Sequence, residues 1–132
     1  MNKLLALPLV AFAVACVQSE PVELSADEQS ELSQVLRGRT AGATLSCVPQ
    51  RNLRNSRSVG EGVILFDGPN NVIYVNRPSA GCPELTRSRA LVTRTPSTQL
   101  CRGDISTVVE PATNFQFGGC TLGEFTPYRR AD

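Results

Sequence analysis

The longest apolar run is Leu4–Val14 (LLALPLVAFAV), eleven residues broken only by Pro8 and preceded by the short positive start Met1–Lys3. A bilayer core about 30 Å thick needs about 20 apolar residues in a helix, so this run is too short to span it. It has the length of the apolar part of a signal peptide, and the predicted signal covers residues 1–15. A polar stretch, 16–24, follows as a tether. From Ser25 the period becomes helical. Leu32, Val35 and Leu36 form one narrow stripe, and Ser25 with Glu28 has capping-box spacing. Asp27, Glu28 and Glu31 favour the positive end of a helix, and Gly38 stands where a helix would stop. The pattern predicts one short helix over 25–37 that lies on the domain rather than at its centre.

Beyond Gly42 the texture is β. Residues 44–59 alternate loosely and are interrupted by Pro49. Val63–Phe66 and Val72–Val75 are apolar and β-branched, and Asp67-Gly68-Pro69-Asn70-Asn71 between them reads as the turn of a hairpin. After a loop over 77–85, strands are predicted at Ala90–Arg94, Ile105–Glu110, Phe115–Phe117 and Thr121–Phe125, with Gly118-Gly119 as a bend or bulge between the last two. The fold class is therefore mainly β. A small antiparallel barrel or sandwich of about six strands fills 38–130, preceded by the one helix.

Ala13-Val14-Ala15 before Cys16 resembles the lipobox of bacterial lipoproteins, with Ala13 where leucine is usual. The resemblance implies a diacylglyceryl group on the Cys16 sulfur and membrane attachment through that lipid. With Val17 rather than aspartate after the cysteine, it also implies the periplasmic side of the outer membrane. Ala-Val-Ala fits ordinary secretory cleavage too, which leaves a soluble periplasmic or secreted protein as the alternative.

Cysteine usage agrees with export. Setting Cys16 aside leaves Cys47, Cys82, Cys101 and Cys120, an even number at spacings of 35, 19 and 19. In an exported domain these read as two disulfides, and no close cysteine pair suggests a zinc site. If the strands form a meander, Cys47 and Cys101 fall at one end and Cys82 and Cys120 at the other. Bridging needs Cα atoms within about 7 Å, so the predicted bridges are Cys47–Cys101 and Cys82–Cys120.

The cysteine blocks Ser46-Cys47-Val48, Gly81-Cys82-Pro83-Glu84-Leu85, Leu100-Cys101-Arg102-Gly103-Asp104 and Cys120 occur in a particular order. Ile73-Tyr74-Val75 lies among them, and Gly123-Glu124-Phe125-Thr126-Pro127-Tyr128 follows. Over roughly 38–130 the chain resembles a domain-of-unknown-function family of short proteobacterial exported lipoproteins. The resemblance implies an envelope location and a compact β fold, and carries no activity.

The chain has no histidine, which excludes mechanisms built on imidazole and most metal sites. No metal or cofactor is expected. Of thirteen basic residues the one lysine, Lys3, lies in the signal, leaving twelve arginines against twelve acids. A balanced chain without interleaved aromatics is not a nucleic-acid binder. The charges are nevertheless unevenly placed. Residues 20–31 hold five acids and no base, whereas no acid occurs from Leu32 to Gly60. That acid-free stretch holds Arg37, Arg39, Arg51, Arg54 and Arg57. Guanidinium groups bind carboxylate and phosphate bidentately, so Arg51, Arg54 and Arg57 are the candidate anion- or partner-binding residues. The competing reading is that the acidic helix neutralises them, or that both are solvated surface. Arg102-Gly103-Asp104 reads as a tight turn rather than an adhesion motif. Glu61, Asp67, Glu84, Asp104, Glu110 and Glu124 are scattered, with no spacing that pairs them for acid–base work. The expectation is a non-enzymatic envelope module that binds an envelope protein or acidic polymer. The alternatives are a lipid-anchored inhibitor of an envelope-attacking hydrolase and, more remotely, a carboxylate-dependent hydrolase.

Overall fold

The structure, a computed structural model, describes residues 10–13 and 21–131. Cys16, and with it the lipid-attachment reading, lies outside the described residues, as does most of the predicted signal.

Two central strands organise the chain. The predicted hairpin forms from β4 (Val63–Asp67) and β5 (Ile73–Asn76), numbered in chain order, with Phe66 opposite Tyr74. Alternation sends Ile64, Phe66 and Tyr74 to one side and Val63, Leu65, Ile73 and Val75 to the other. Every one of these side chains is buried, which is why the two runs are continuously apolar rather than alternating. Three strands flank the pair. They are β3 (Ser56–Val59), β10 (Phe125–Arg130) and β1 (Arg39–Ala41), giving an antiparallel sheet in the order β1-β10-β5-β4-β3.

Helix α1 (Ala26–Val35) covers one face of this sheet. Leu32, Val35 and Leu36 pack with Leu24 over Val59, Val63, Leu65, Ile73 and Val75. The capping box is made on both sides. Glu28 N–H donates to Ser25 Oγ at 3.3 Å, and Ser25 N–H donates to Glu28 Oε2 at 2.9 Å. The helix ends two residues before the predicted boundary. Gly38, at φ +73°, instead turns the chain into β1, with Arg39 N–H donating to Leu36 O at 3.1 Å.

The opposite face is covered by two smaller antiparallel sheets. One pairs β2 (Cys47–Pro49) with β7 (Gln99–Cys101). The other runs in the order β6-β8-β9, from β6 (Ala90–Thr93), β8 (Ile105–Val109) and β9 (Gln116–Thr121). Val48, Leu100, Val108, Cys120 and Leu122 meet Ile64, Phe66, Tyr74 and Phe125 in the inner core. The result is sandwich-like, not a closed barrel, with a helix on its outer face.

The β class is as expected, but the described residues form ten strands rather than about six. Pro49 splits the predicted 44–59 stretch into β2 and β3, with a 3₁₀ turn at Gln50–Asn52. The strand β1 has no apolar pattern to betray it, because it is a three-residue edge. Its length has a local cause. Gly42 N–H donates to Pro127 O at 2.7 Å, and proline has no N–H with which to return the bond. Gly118-Gly119 lies within β9, where Gly119 pairs with Thr107 and Gln116 with Val109, so the bulge falls at Phe117-Gly118 inside one strand. The predicted strand at 121–125 is replaced by β10, which begins where that prediction ended.

Candidate functional site

Both disulfides join the predicted partners, Cys47–Cys101 and Cys82–Cys120. The meander that suggested them is absent. Cys47 and Cys101 are direct cross-strand neighbours in the β2–β7 pair, with Cα atoms 4.0 Å apart. The flanking bond is Arg102 N–H to Ser46 O at 2.7 Å, so Cys101 N–H points away from β2 and is taken by Asp104 Oδ2 at 2.7 Å. Asp104 N–H in turn donates to Cys101 O at 3.1 Å, with Gly103 at φ +90°. Arg102-Gly103-Asp104 is thus a tight turn that ties one end of a disulfide strand.

The structure divides the arginine candidates. Arg51 is exposed on the 3₁₀ turn, beside a groove of about 590 Å³ lined by Pro49, Gln50 and Ser97–Gln99. Arg54 and Arg57 lie elsewhere. They share a cleft of about 360 Å³ with Arg39, Asn55, Asp67, Gly68 and Asn71. Sheet geometry explains the grouping. Register puts Arg57 opposite Leu65, so it shares the helix-covered face with Asp67 two residues on. Arg39 joins that face through β10, since Ala41 lies opposite Tyr128 and Tyr128 opposite Ile73. Backbone bonds continue the β3–β4 pairing outward, Arg54 N–H to Asp67 O at 2.9 Å and Asp67 N–H to Asn55 O at 3.0 Å. They carry Arg54 to the hairpin turn.

Each guanidinium is positioned by a different group. Arg57 Nη1 lies 3.1 and 3.2 Å from the two oxygens of Asp67. Arg54 Nη2 donates to Gly68 O at 2.7 Å. Arg39 Nη1 bonds Asn71 O, and its Nη2 reaches Asn71 Oδ1 at 3.3 Å. Arg39 Nε is buried without a partner. The pKa of Arg39 is lowered, first by desolvation, then by repulsion from Arg130; Asp67 opposes the shift and Arg57 adds to it. Among the described residues, three arginines and one aspartate line this cleft, so positive charge is in excess there.

The acidic helix does not supply the missing charge. Its Glu31 lies 3.6 Å from Arg87, not from the cleft arginines. Other acids are occupied separately: Glu84 with Arg89 at 2.9 Å, Glu124 with Arg102 at 3.0 Å, and Asp104 with Cys101 N–H. Among the described residues, no cluster of His, Cys, Asp or Glu could hold a metal ion. No helix of the described residues is long and apolar enough to cross a membrane.

Sequence reasoning placed Arg39 in the acid-free stretch but left it out of the candidate set, and it missed Asp67 and Asn71 as lining residues. The hairpin register could have found Asp67, since it follows Val63 and Leu65 on the face that carries Arg57. No local signal marks Arg39, whose strand is defined by its pairing to β10. Comparison with family models, curated proteins and solved structures finds no match to this chain.

Proposed function

We propose that this protein is a non-enzymatic module of the bacterial cell envelope that binds an acidic group through the cleft of Arg39, Arg54 and Arg57. The observation that carries the reading is charge placement. Among the described residues, three guanidinium groups line one cleft with a single carboxylate, Asp67. Arginine there can grip carboxylate or phosphate through paired N–H groups. Two disulfides suit an oxidising compartment. Together with the lipobox-like Ala13-Val14-Ala15-Cys16, they support anchoring through Cys16 at the periplasmic side of the outer membrane. The ligand is then an acidic envelope polymer or the acidic surface of an envelope protein.

The test is equilibrium binding of the oxidised full chain to purified anionic envelope polymers. Arg54→Ala/Arg57→Ala should weaken binding by at least about tenfold, the loss of ~1.4 kcal/mol. Arg51→Ala should leave it unchanged. Equal loss in both variants would replace the cleft by diffuse surface charge, and undiminished binding in the double variant would remove the cleft from function. An intact mass showing unmodified Cys16 in envelope-derived protein would refute the anchor.

A further inference from the structure

We infer that the cleft selects a dianion, with a phosphomonoester as the group that fits it; this rests on the anion-binding reading above. Among the lining residues, three arginines face one aspartate, which leaves a net charge of +2. A carboxylate or a phosphodiester, each with one negative charge, leaves a guanidinium uncompensated. A phosphomonoester carries about −1.5 to −2 at pH 7 and presents three acceptor oxygens. Arg130 strengthens the demand, because it lies opposite Arg39 across the β1–β10 pairing and repels it.

Arg54 and Arg57 each keep donors beyond their bonds within the protein. Arg57 commits Nη1 to Asp67, and Arg54 commits Nη2 to Gly68 O. The remaining N–H groups of both forks are left for a ligand, in the planar geometry that phosphate accepts bidentately. Arg39 plays another part. Its terminal nitrogens are held by Asn71, and Nη1 also lies 3.5 Å from Tyr128 O, so it contributes fixed charge at the cleft wall. The terminal phosphate could belong to a phosphorylated sugar of an envelope polymer or to a lipid headgroup. The chemistry recognised is the same.

The absence of histidine makes the ligand's own titration readable. No histidine is present to change charge between pH 5 and 8. Among the described residues, the ionisable groups lining the cleft are Arg39 of β1, Arg57 of β3 and Arg54 before it, and Asp67 of β4; on the neighbouring β10, Arg130 lies opposite Arg39 and Tyr128 opposite Ala41. A phosphomonoester changes from monoanion to dianion near pH 6.

Glucose 1-phosphate, glucuronate and glycerophosphoglycerol are titrated against the oxidised full chain at pH 7.5 and 5.0, at constant ionic strength. At pH 7.5 glucose 1-phosphate should bind about tenfold more tightly than either monoanion, a difference of ~1.4 kcal/mol. At pH 5.0 its advantage should vanish while the monoanions hold steady. Vesicles of phosphatidic acid or phosphatidylglycerol in phosphatidylcholine separate the sources. A preference for phosphatidic acid assigns a lipid phosphate; preference seen only in solution assigns a sugar phosphate. Equal affinity for all three solutes at pH 7.5, or a preference that survives at pH 5.0, overturns selection of a dianion and leaves an anion cleft standing. No binding by any probe, or binding retained in Arg54→Ala/Arg57→Ala, overturns the cleft reading itself.

Discussion

Asn76 and Gly123 hold each other by two hydrogen bonds: Asn76 Nδ2 donates to Gly123 O at 2.8 Å, and Gly123 N–H donates to Asn76 Oδ1 at 2.9 Å. Asn76 ends β5 and is fully buried, while Gly123 lies in the short link between β9 and β10. One amide thus fastens the smaller three-stranded sheet to the central sheet. Asn76→Ala would leave two backbone groups without partners, each worth about 1–3 kcal/mol when buried. Urea unfolding should show a loss of about 2–4 kcal/mol. A loss under ~0.5 kcal/mol would mean that water replaces the amide. Gly123→Ala should be as harmful for a different reason, since a Cβ there would sit 2.2 Å from Arg77 O.

The two disulfides differ in what their removal should cost. Chain entropy treats them almost alike, because loops of 54 and 38 residues each give about 4 kcal/mol. Burial separates them. Cys82 and Cys120 are 2% and 5% exposed and belong to the inner core, whereas Cys47 and Cys101 are only half-buried. Cys82→Ala/Cys120→Ala should therefore be the more destabilising pair although it opens the shorter loop, by about 1–2 kcal/mol from lost packing. The reverse order in chemical denaturation would make loop closure the dominant effect.

Much of the fold was legible in the sequence, and the missing parts share a cause. The hairpin of β4 and β5 was visible because its residues are apolar on both faces and its turn is rich in Gly, Pro and Asn. The capping box of Ser25 and Glu28 is local, and it formed as read. By contrast, β1 and the arrangement of the second layer depend on pairing between residues far apart in the chain. Arg39 lies opposite Arg130, a relationship no local pattern contains. The cleft failed to appear in full for the same reason. Neighbours in sequence, Arg51 and Arg54, diverge to separate grooves, while Arg39 and Arg57 converge from the two edges of the five-stranded sheet.

Ser25 matters because α1 is the lid on one face of the central sheet. Its side chain accepts from Glu28 N–H, and the Glu28 carboxylate returns the bond. Ser25→Ala should cost about 1 kcal/mol. Glu28 also fills the space beside the β3–β4 turn, where a Cβ on Gly60 would meet its carboxyl carbon at 2.4 Å. Gly60→Ala should therefore cost more than Ser25→Ala, since it strains φ +59° as well as displacing the cap. Hydrogen exchange in α1 should rise in both variants. Unchanged protection would show that the helix is held by Leu32 and its neighbours alone.

Among the described residues, Asp67 is the one carboxylate lining the arginine cleft, and its removal should expose the cost of that crowding. Its pair with Arg57 is part-exposed, with side chains 46% and 28% accessible, so its loss alone should cost only about 0.5–1 kcal/mol. The sign for Arg39 follows from its lowered pKa, caused first by desolvation and then by Arg130. Folding disfavours the charged form, so the penalty is present throughout the pH range below the folded pKa and would lift only as pH rises through it. Working buffers never reach that range, and Arg39 itself should give no pH dependence between pH 6 and 8. Anions can relieve the penalty instead. Inorganic phosphate at about 100 times its Kd should stabilise the wild-type chain by ~2.7 kcal/mol beyond chloride of equal ionic strength. Asp67→Asn should begin less stable and gain more from phosphate, while Arg54→Ala/Arg57→Ala should gain no more than chloride gives. Thermal unfolding across the three proteins decides it. If phosphate and chloride act alike on all of them, screening alone is at work and the cleft holds no anion.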